Sequence, residues 1–234
     1  MDEYKFCFIL CTNNDTLLSE AIHYISHLII PDGYTTELLT VTDAKSMTAG
    51  YNEAMTASNA KYKIYMHQDV FILNRSFLFD VLSIFQSDAA IGLIGMTGYA
   101  SVSADGVMWH APDRLGTPYR RSASYPPLSE YRYSLSEDGY QSAAMIDGFM
   151  MVTSTDYPWN IESLTGWDFY DAYQSLAFLL QGHKIVVPTQ RHPWCMHDDG
   201  GVLSLTNYNQ YREIFMRTYP EYLGKHYSEI GKQT

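Results

Sequence analysis

The first ninety-odd residues alternate short apolar runs with segments of helical periodicity, and this alternation leaves the chain few architectures. "KFCFILCT" has no polar face, as suits a strand covered on both sides. "NNDTLLSEAIHYISHLI" follows, with Leu18, Ala21, Ile22, Ile25 and Leu28 at helical spacing behind Asn and Asp capping candidates. "TELLTVTDA", "SMTAGYNEAMTASNA", "KYKIYMHQD", "NRSFLFDVLSIFQSD" and "AIGLIGMTG" then read as strand, helix, strand, helix and strand. Four strands joined by three helices predict right-handed crossovers. The expected fold is α/β, with a mostly parallel central sheet and helices on both faces.

In open sheets of this kind ligands bind beyond the carboxyl ends of the strands, and here those ends are polar. Thr12 and Asn13 follow the first run, Asp43 the second, and His67, Gln68 and Asp69 close the third. Three successive strand ends therefore bring polar groups to one edge, the arrangement of a nucleotide site. Neither GxGxxG after the first strand nor GxxxxGK followed by Ser or Thr is present, which excludes dinucleotide and P-loop readings. Phosphates would need a metal instead. Asp69 sits where burial makes a lone carboxylate costly, so it is either a cation ligand or a turn-capping group. Spacing leaves both open.

Beyond residue 97 the pattern breaks, and residues 98–143 carry Gly, Pro, Ser and Tyr with no lasting period. A segment so long inside a compact domain reads as a lid or binding loop, or as a surface insertion. Regular structure resumes with "AAMIDGFMMVTST", a strand interrupted by Asp147 and Gly148, then a helix from about Phe169 to Gln181 ended by Gly182, and the strand "KIVVP". "TQRHPWCMHDDGG" is dense in His and Asp and precedes an amphipathic helix from about Asn207, with Tyr211, Ile214 and Phe215 on one face. Asp168 and Asp171 lie three apart at a helix start, either complementing the helix dipole or supplying a general base. There is no HExxH motif and no paired CxxC, so a zinc site of those types is unsupported.

Composition narrows the partners. A net charge of −11 with no Lys/Arg cluster argues against nucleic acid. Cys7 and Cys11 would stand about 13 Å apart along a strand, too far to bridge, and Cys195 has no obvious partner, so a reducing, cytoplasmic setting is expected. No stretch approaches eighteen apolar residues, and the N-terminus lacks the basic start and apolar run of a signal peptide.

Taken in order, "CTNN", the strand ending in "TD", "GYNEAMTASNAKY", "YMHQDV", "DGFMMV", "FYDAYQSLAFLLQGHKIVVP" and "HDDGG" resemble the glycosyltransferase family 2-like proteins with the GT-A fold. The resemblance covers nearly the whole chain. It implies a single domain over 1–234, with a nucleotide-sugar-binding half at 1–97 and an acceptor-side, catalytic half at 98–234. Asp69 matches the last carboxylate of the family's DxD motif, which holds Mn²⁺ or Mg²⁺ against the donor diphosphate, and His197 matches the C-terminal His that contributes to the same ion. Asp43 matches the acid contacting the nucleotide base, with Thr12 and Asn13 in the loop beneath it, and Asn52 and Gln68 also fall on the donor side. Asp171 matches the general base. Asp147 and Gly148 match the stretch near the transferred sugar and acceptor, and Trp167 with the irregular middle segment would wall the acceptor side.

Two departures stand out. The DxD is reduced to His67-Gln68-Asp69, and Tyr173 occupies the place of a second acid that Asp168 could replace. The resemblance implies metal-assisted, inverting transfer from a UDP- or GDP-sugar to a carbohydrate, lipid-linked or protein acceptor, for instance in polysaccharide biosynthesis. A non-catalytic nucleotide- or carbohydrate-binding module on the same scaffold is the alternative that the reduced motif leaves open.

Overall fold

The computed structural model describes residues 1–121, 128–130, 139–200, 205 and 207–230. Strand β1 (Asp2–Cys11) leads into helix α1 (Asp15–Ser26), whose start is fixed by Asn14 accepting hydrogen bonds from the Thr16 and Leu17 amides. β2 (Thr35–Val41), α2 (Met47–Ala57, capped by Ser46), β3 (Ala60–His67), the short β4 (Val70–Ile72) and α3 (Phe77–Ser87) follow. The run "AIGLIGMTG", expected as one strand, divides at Met96 into β5 (Ile91–Gly95) and β6 (Thr97–Tyr99), which belong to different sheets.

The segment predicted as irregular contains short strands: β7 (Arg114–Gly116), β8 (Tyr119–Arg121), β9 (Leu128–Glu130) and β10 (Tyr140–Ala143). Its residues 122–127 and 131–138, and Gly201 of the "DDGG" motif, lie outside the described residues. β11 (Met145–Ile146) and β12 (Met150–Thr153) flank Asp147 and Gly148 as expected. α4 (Tyr170–Leu180) ends where Gly182 takes φ +82°, and β13 (Lys184–Pro188), β14 (Cys195–His197), α5 (Tyr208–Thr218) and α6 (Tyr227–Ile230) complete the chain.

The central sheet has seven strands in the order β10-β13-β5-β12-β3-β1-β2. β1, β2, β3, β5 and β13 run one way, and β10 and β12 run the other. The mostly parallel sheet is therefore present, but β5 does not adjoin β3: β12 lies between them, antiparallel to both. Along β1, Cys7, Ile9 and Cys11 enter one core with α2 and α4, while Phe6, Phe8 and Leu10 enter a second core with α1 and α3. Both faces are thus covered, and only the strand ends remain for function.

A second sheet, β4-β14-β8-β9, sits at the carboxyl edge. There β14 pairs antiparallel with β4, setting His197 opposite Val70, and parallel with β8, setting His197 opposite Arg120. Among the described residues, no helix is long and apolar enough to cross a membrane.

Candidate active site

The turn between β3 and β4 carries His67, Gln68 and Asp69, and side-chain alternation sends neighbours apart. Gln68 turns toward the β1–α1 loop, where its Oε1 accepts from the Thr12 hydroxyl at 2.7 Å and from the Asn13 and Asn14 amides at 3.0 and 2.9 Å. Its amide group donates to Asn13 Oδ1 at 2.7 Å. Three of the residues expected on the donor side, Thr12, Asn13 and Gln68, are therefore one bonded unit.

His67 and Asp69 face the other way, toward β14. The Asp198 amide donates to the Asp69 carbonyl at 2.8 Å, extending the β14–β4 ladder and bringing His197 Nε2 to 3.5 Å from Asp69 Oδ1. His67 Nδ1 lies 3.9 Å from the same oxygen. Among the described residues, these three side chains offer one metal-ligating atom each, all within 4.8 Å of one another. Asp69 Oδ1 and both ring nitrogens of His197 are buried and make no hydrogen bond to any of the described residues. Phe149 stacks on the His197 ring with centroids 5.0 Å apart, so solvent does not satisfy it.

Electrostatics acts differently on the carboxylate and on the imidazole beside it. Burial opposes charge on Asp69, but the two imidazoles beside it outweigh burial and hold its carboxyl below the usual carboxylate range. Burial, reinforced by His197, pushes the His67 imidazole down to about 4, so it is neutral and has a lone pair free at neutral pH.

Asp171 reaches the site through the start of α4. Phe169, at the N-cap position, holds φ +64°, a left-handed conformation that costs an aromatic residue about 1–3 kcal/mol. It is seated by Tyr208 and Phe215, at centroid distances of 4.8 and 5.6 Å. The resulting turn aims Tyr170 at His67, whose Nε2 is hydrogen-bonded to the Tyr170 hydroxyl, and brings Asp171 under the Asp147–Gly148 turn. Gly148 donates its N–H to Asp171 Oδ2 at 3.0 Å, and Ala172 donates to Oδ1 at 2.8 Å. Burial, and the adjacent Asp147 charge after it, push the Asp171 carboxyl up to about 7. Asp168 is also raised, by partial burial alone.

The profile of the family described as glycosyltransferase-like matches residues 7–219. The chain belongs to this glycosyltransferase-like family. Its fold is that of GT-A glycosyltransferases, as the solved structures show. The first 349 residues of TarS from S. aureus, solved with UDP, superpose with a TM-score of 0.56 at 10% identity over 88% of this chain and 63% of that one. The same protein solved with UDP-GlcNAc gives 0.60 at 9% identity over 97% of this chain and 70% of that one. The mannosyltransferase PcManGT from Pyrobaculum calidifontis, solved with GDP-Man and Mn²⁺, gives 0.53 at 9% over 89% of this chain and 60% of that one. The chain thus spans a little under two thirds of the first TarS structure and of the mannosyltransferase. Comparison with curated protein sequences yields no match.

Within this glycosyltransferase-like chain the expected residues separate into groups. Asp69 and His197 meet directly, with Gln68, Thr12 and Asn13 on the opposite side of the same turn. Asp147, Gly148 and Asp171 form a second group, linked to the first by the contact between Tyr170 and His67. Trp167, half exposed at 51%, and Asp168 stand just before α4. Asp43 lies exposed beyond β2 at the same sheet edge.

Asn52, expected on the donor side, is engaged with the Trp159 backbone. Its side chain donates to the Trp159 carbonyl and accepts from the Trp159 amide, both at 2.9 Å, which uses its amide to pin the loop before α4.

Four residues at this edge, His67, Tyr170, Arg120 and Arg121, were not singled out as site residues by sequence reading. His67 and Asp69, two apart at a strand end, share a side, and that spacing was the available signal for His67. Tyr170 looked like ordinary helix core. Arg120 and Arg121 pair with Asp199 at 2.7 Å and Asp198 at 3.1 Å, tying down the segment after β14, and only the β8–β14 pairing reveals this.

Proposed function

We propose that this chain is a glycosyltransferase that moves a sugar from a nucleoside-diphosphate sugar to an acceptor hydroxyl with inversion. The observation that carries this reading is the Asp69–His197 pair, whose buried Oδ1 and ring nitrogens lack hydrogen-bond partners among the described residues, at the sheet edge where an α/β fold binds its ligand. One carboxylate oxygen and one imidazole nitrogen are ordinary ligands for a divalent cation such as Mn²⁺ or Mg²⁺, so the residues present fit the ion that the fold family implies. When bound, that ion supplies positive charge that stabilises a departing diphosphate.

The remaining work belongs to the chain. The Gln68-clamped β1–α1 loop forms the floor for the nucleotide, with Asp43 at its side. Asp171 accepts the proton of the acceptor hydroxyl as that oxygen attacks the anomeric carbon opposite the diphosphate. A carboxyl with a pKa near 7 suits this role, because it is ionised in useful amount yet basic enough to take a proton. The Gly148 and Ala172 amides hold the carboxylate in place by one hydrogen bond to each oxygen. Trp167 and Asp168 line the acceptor approach. The complexes of TarS with UDP-GlcNAc and of the mannosyltransferase with GDP-Man support a nucleotide sugar as donor.

Calorimetric titration with UDP- and GDP-sugars, with and without Mn²⁺, tests the proposal. Binding of at least one, strengthened by the metal, is expected. Absence of binding to every nucleotide sugar overturns it.

A further inference from the structure

Asp69 and His197 account for two of the three clustered side chains and leave His67 without a role. We propose that His67 is a third metal ligand, making a two-histidine, one-carboxylate centre that selects first-row transition cations such as Mn²⁺ and Co²⁺ over Mg²⁺ and Ca²⁺. This inference rests on the metal-site reading above.

Three observations carry it. First, His67 Nδ1 and His197 Nε2 approach the same oxygen, Asp69 Oδ1, at 3.9 and 3.5 Å. Ligands on one first-row ion stand about 3 Å or slightly more apart, given metal–nitrogen and metal–oxygen distances near 2.1 Å. The three groups therefore surround a common point. Second, His67 is oriented as metal-bound histidines are. Its Nε2 engages the Tyr170 hydroxyl, which fixes the ring and leaves the Nδ1 lone pair toward Asp69. Tyr170 is itself buried, packed edge-on to Tyr51 at 5.8 Å and tilted on Trp159 at 6.1 Å. Third, packing does not explain the cluster. A buried histidine kept for structure satisfies its ring nitrogens, and among the described residues His197 finds a partner for neither.

Selectivity follows from the donors. Mg²⁺ and Ca²⁺ prefer oxygen ligands, and their protein sites gain affinity from the number of carboxylates. Among the described residues this site has one carboxylate and two imidazoles, a set that favours transition ions along the usual affinity order. The glutamine between the two ligands is committed to the β1–α1 loop and supplies no further oxygen.

The test uses the metal-stripped full chain. Mn²⁺ is titrated with loss of its free-ion paramagnetic resonance signal as readout, with Mg²⁺ as competitor, and Co²⁺ is followed by visible absorption and by paramagnetically shifted imidazole N–H signals in proton NMR. Mn²⁺ should remain bound in a hundredfold excess of Mg²⁺, and Co²⁺ should shift two imidazole signals. His67→Ala should weaken Mn²⁺ binding at least about tenfold. His67→Asp should leave one shifted imidazole signal and narrow the Mn²⁺-over-Mg²⁺ preference about tenfold or more. Displacement of Mn²⁺ by equimolar Mg²⁺, a single shifted imidazole in the wild type, or unchanged Mn²⁺ affinity in His67→Ala overturns the inference. Nucleotide-sugar binding measured on the same samples separates the two readings: its persistence alongside any of those results leaves the proposed function standing, and its absence under every condition removes that function.

Discussion

The Gly148 amide lies 3.0 Å from Asp171 Oδ2, and this hydrogen bond joins the turn before β12 to the first turn of α4. It fixes a partly buried carboxylate beside a second acid, Asp147, whose charge adds to burial in raising the Asp171 pKa.

If Asp171 is the base, Asp171→Asn keeps the shape and one acceptor oxygen but cannot take a proton. Transfer should fall at least about a hundredfold, while donor affinity changes less than about threefold. Wild-type turnover should rise with pH through about 7 and then level off. Steady-state rates from pH 5.5 to 8.5, about the range where the protein is expected to stay folded, check both points.

Stability should move the opposite way with pH. Burial raises the folded-state pKa of Asp171 from 3.8 to about 7, so between these values the folded chain keeps a proton that the unfolded chain has released. The stabilisation is complete below the unfolded value and is lost as pH climbs through the folded one. Asp171→Asn removes this dependence. Relative to wild type, the variant should gain up to about 2.5 kcal/mol between pH 5 and pH 8, read from urea midpoints of the metal-free protein.

Gly148 also lies where any Cβ would collide with the Tyr170 ring and hydroxyl. Gly148→Ala should therefore cost about 1–3 kcal/mol of stability and push Tyr170 off His67. A chemical-shift change at the His67 ring, together with a lower unfolding midpoint, is the expected result.

Asn52 and Gln68 should part company in function. Asn52→Ala frees the buried loop around Trp159 and should lower stability by about 1–2 kcal/mol with little change in nucleotide affinity. Gln68→Ala unties the buried Thr12 hydroxyl and the amides of the exposed Asn13 and Asn14, which water can satisfy, so its effect on stability should be smaller. Its nucleotide affinity should drop several-fold. Parallel thermal melts and UDP titrations distinguish the two.

Local sequence determined the first half of the fold because local forces suffice there. The apolar run of β1 admits only a strand covered on both faces, Asn14 and Ser46 cap the helices that follow, and the polar residues after β1, β2 and β3 come to one edge because parallel strands end together. Gly182 likewise ends α4 where the chain needs a positive φ. The tertiary structure alone decided that β12 enters between β3 and β5, that β14 ladders onto β4 and carries His197 to Asp69, and that Asn52 holds the loop at Trp159. These outcomes depend on pairings between residues far apart in the sequence. Such pairings are chosen by which edges and faces remain unburied once the local elements have formed, and no window of sequence contains that information.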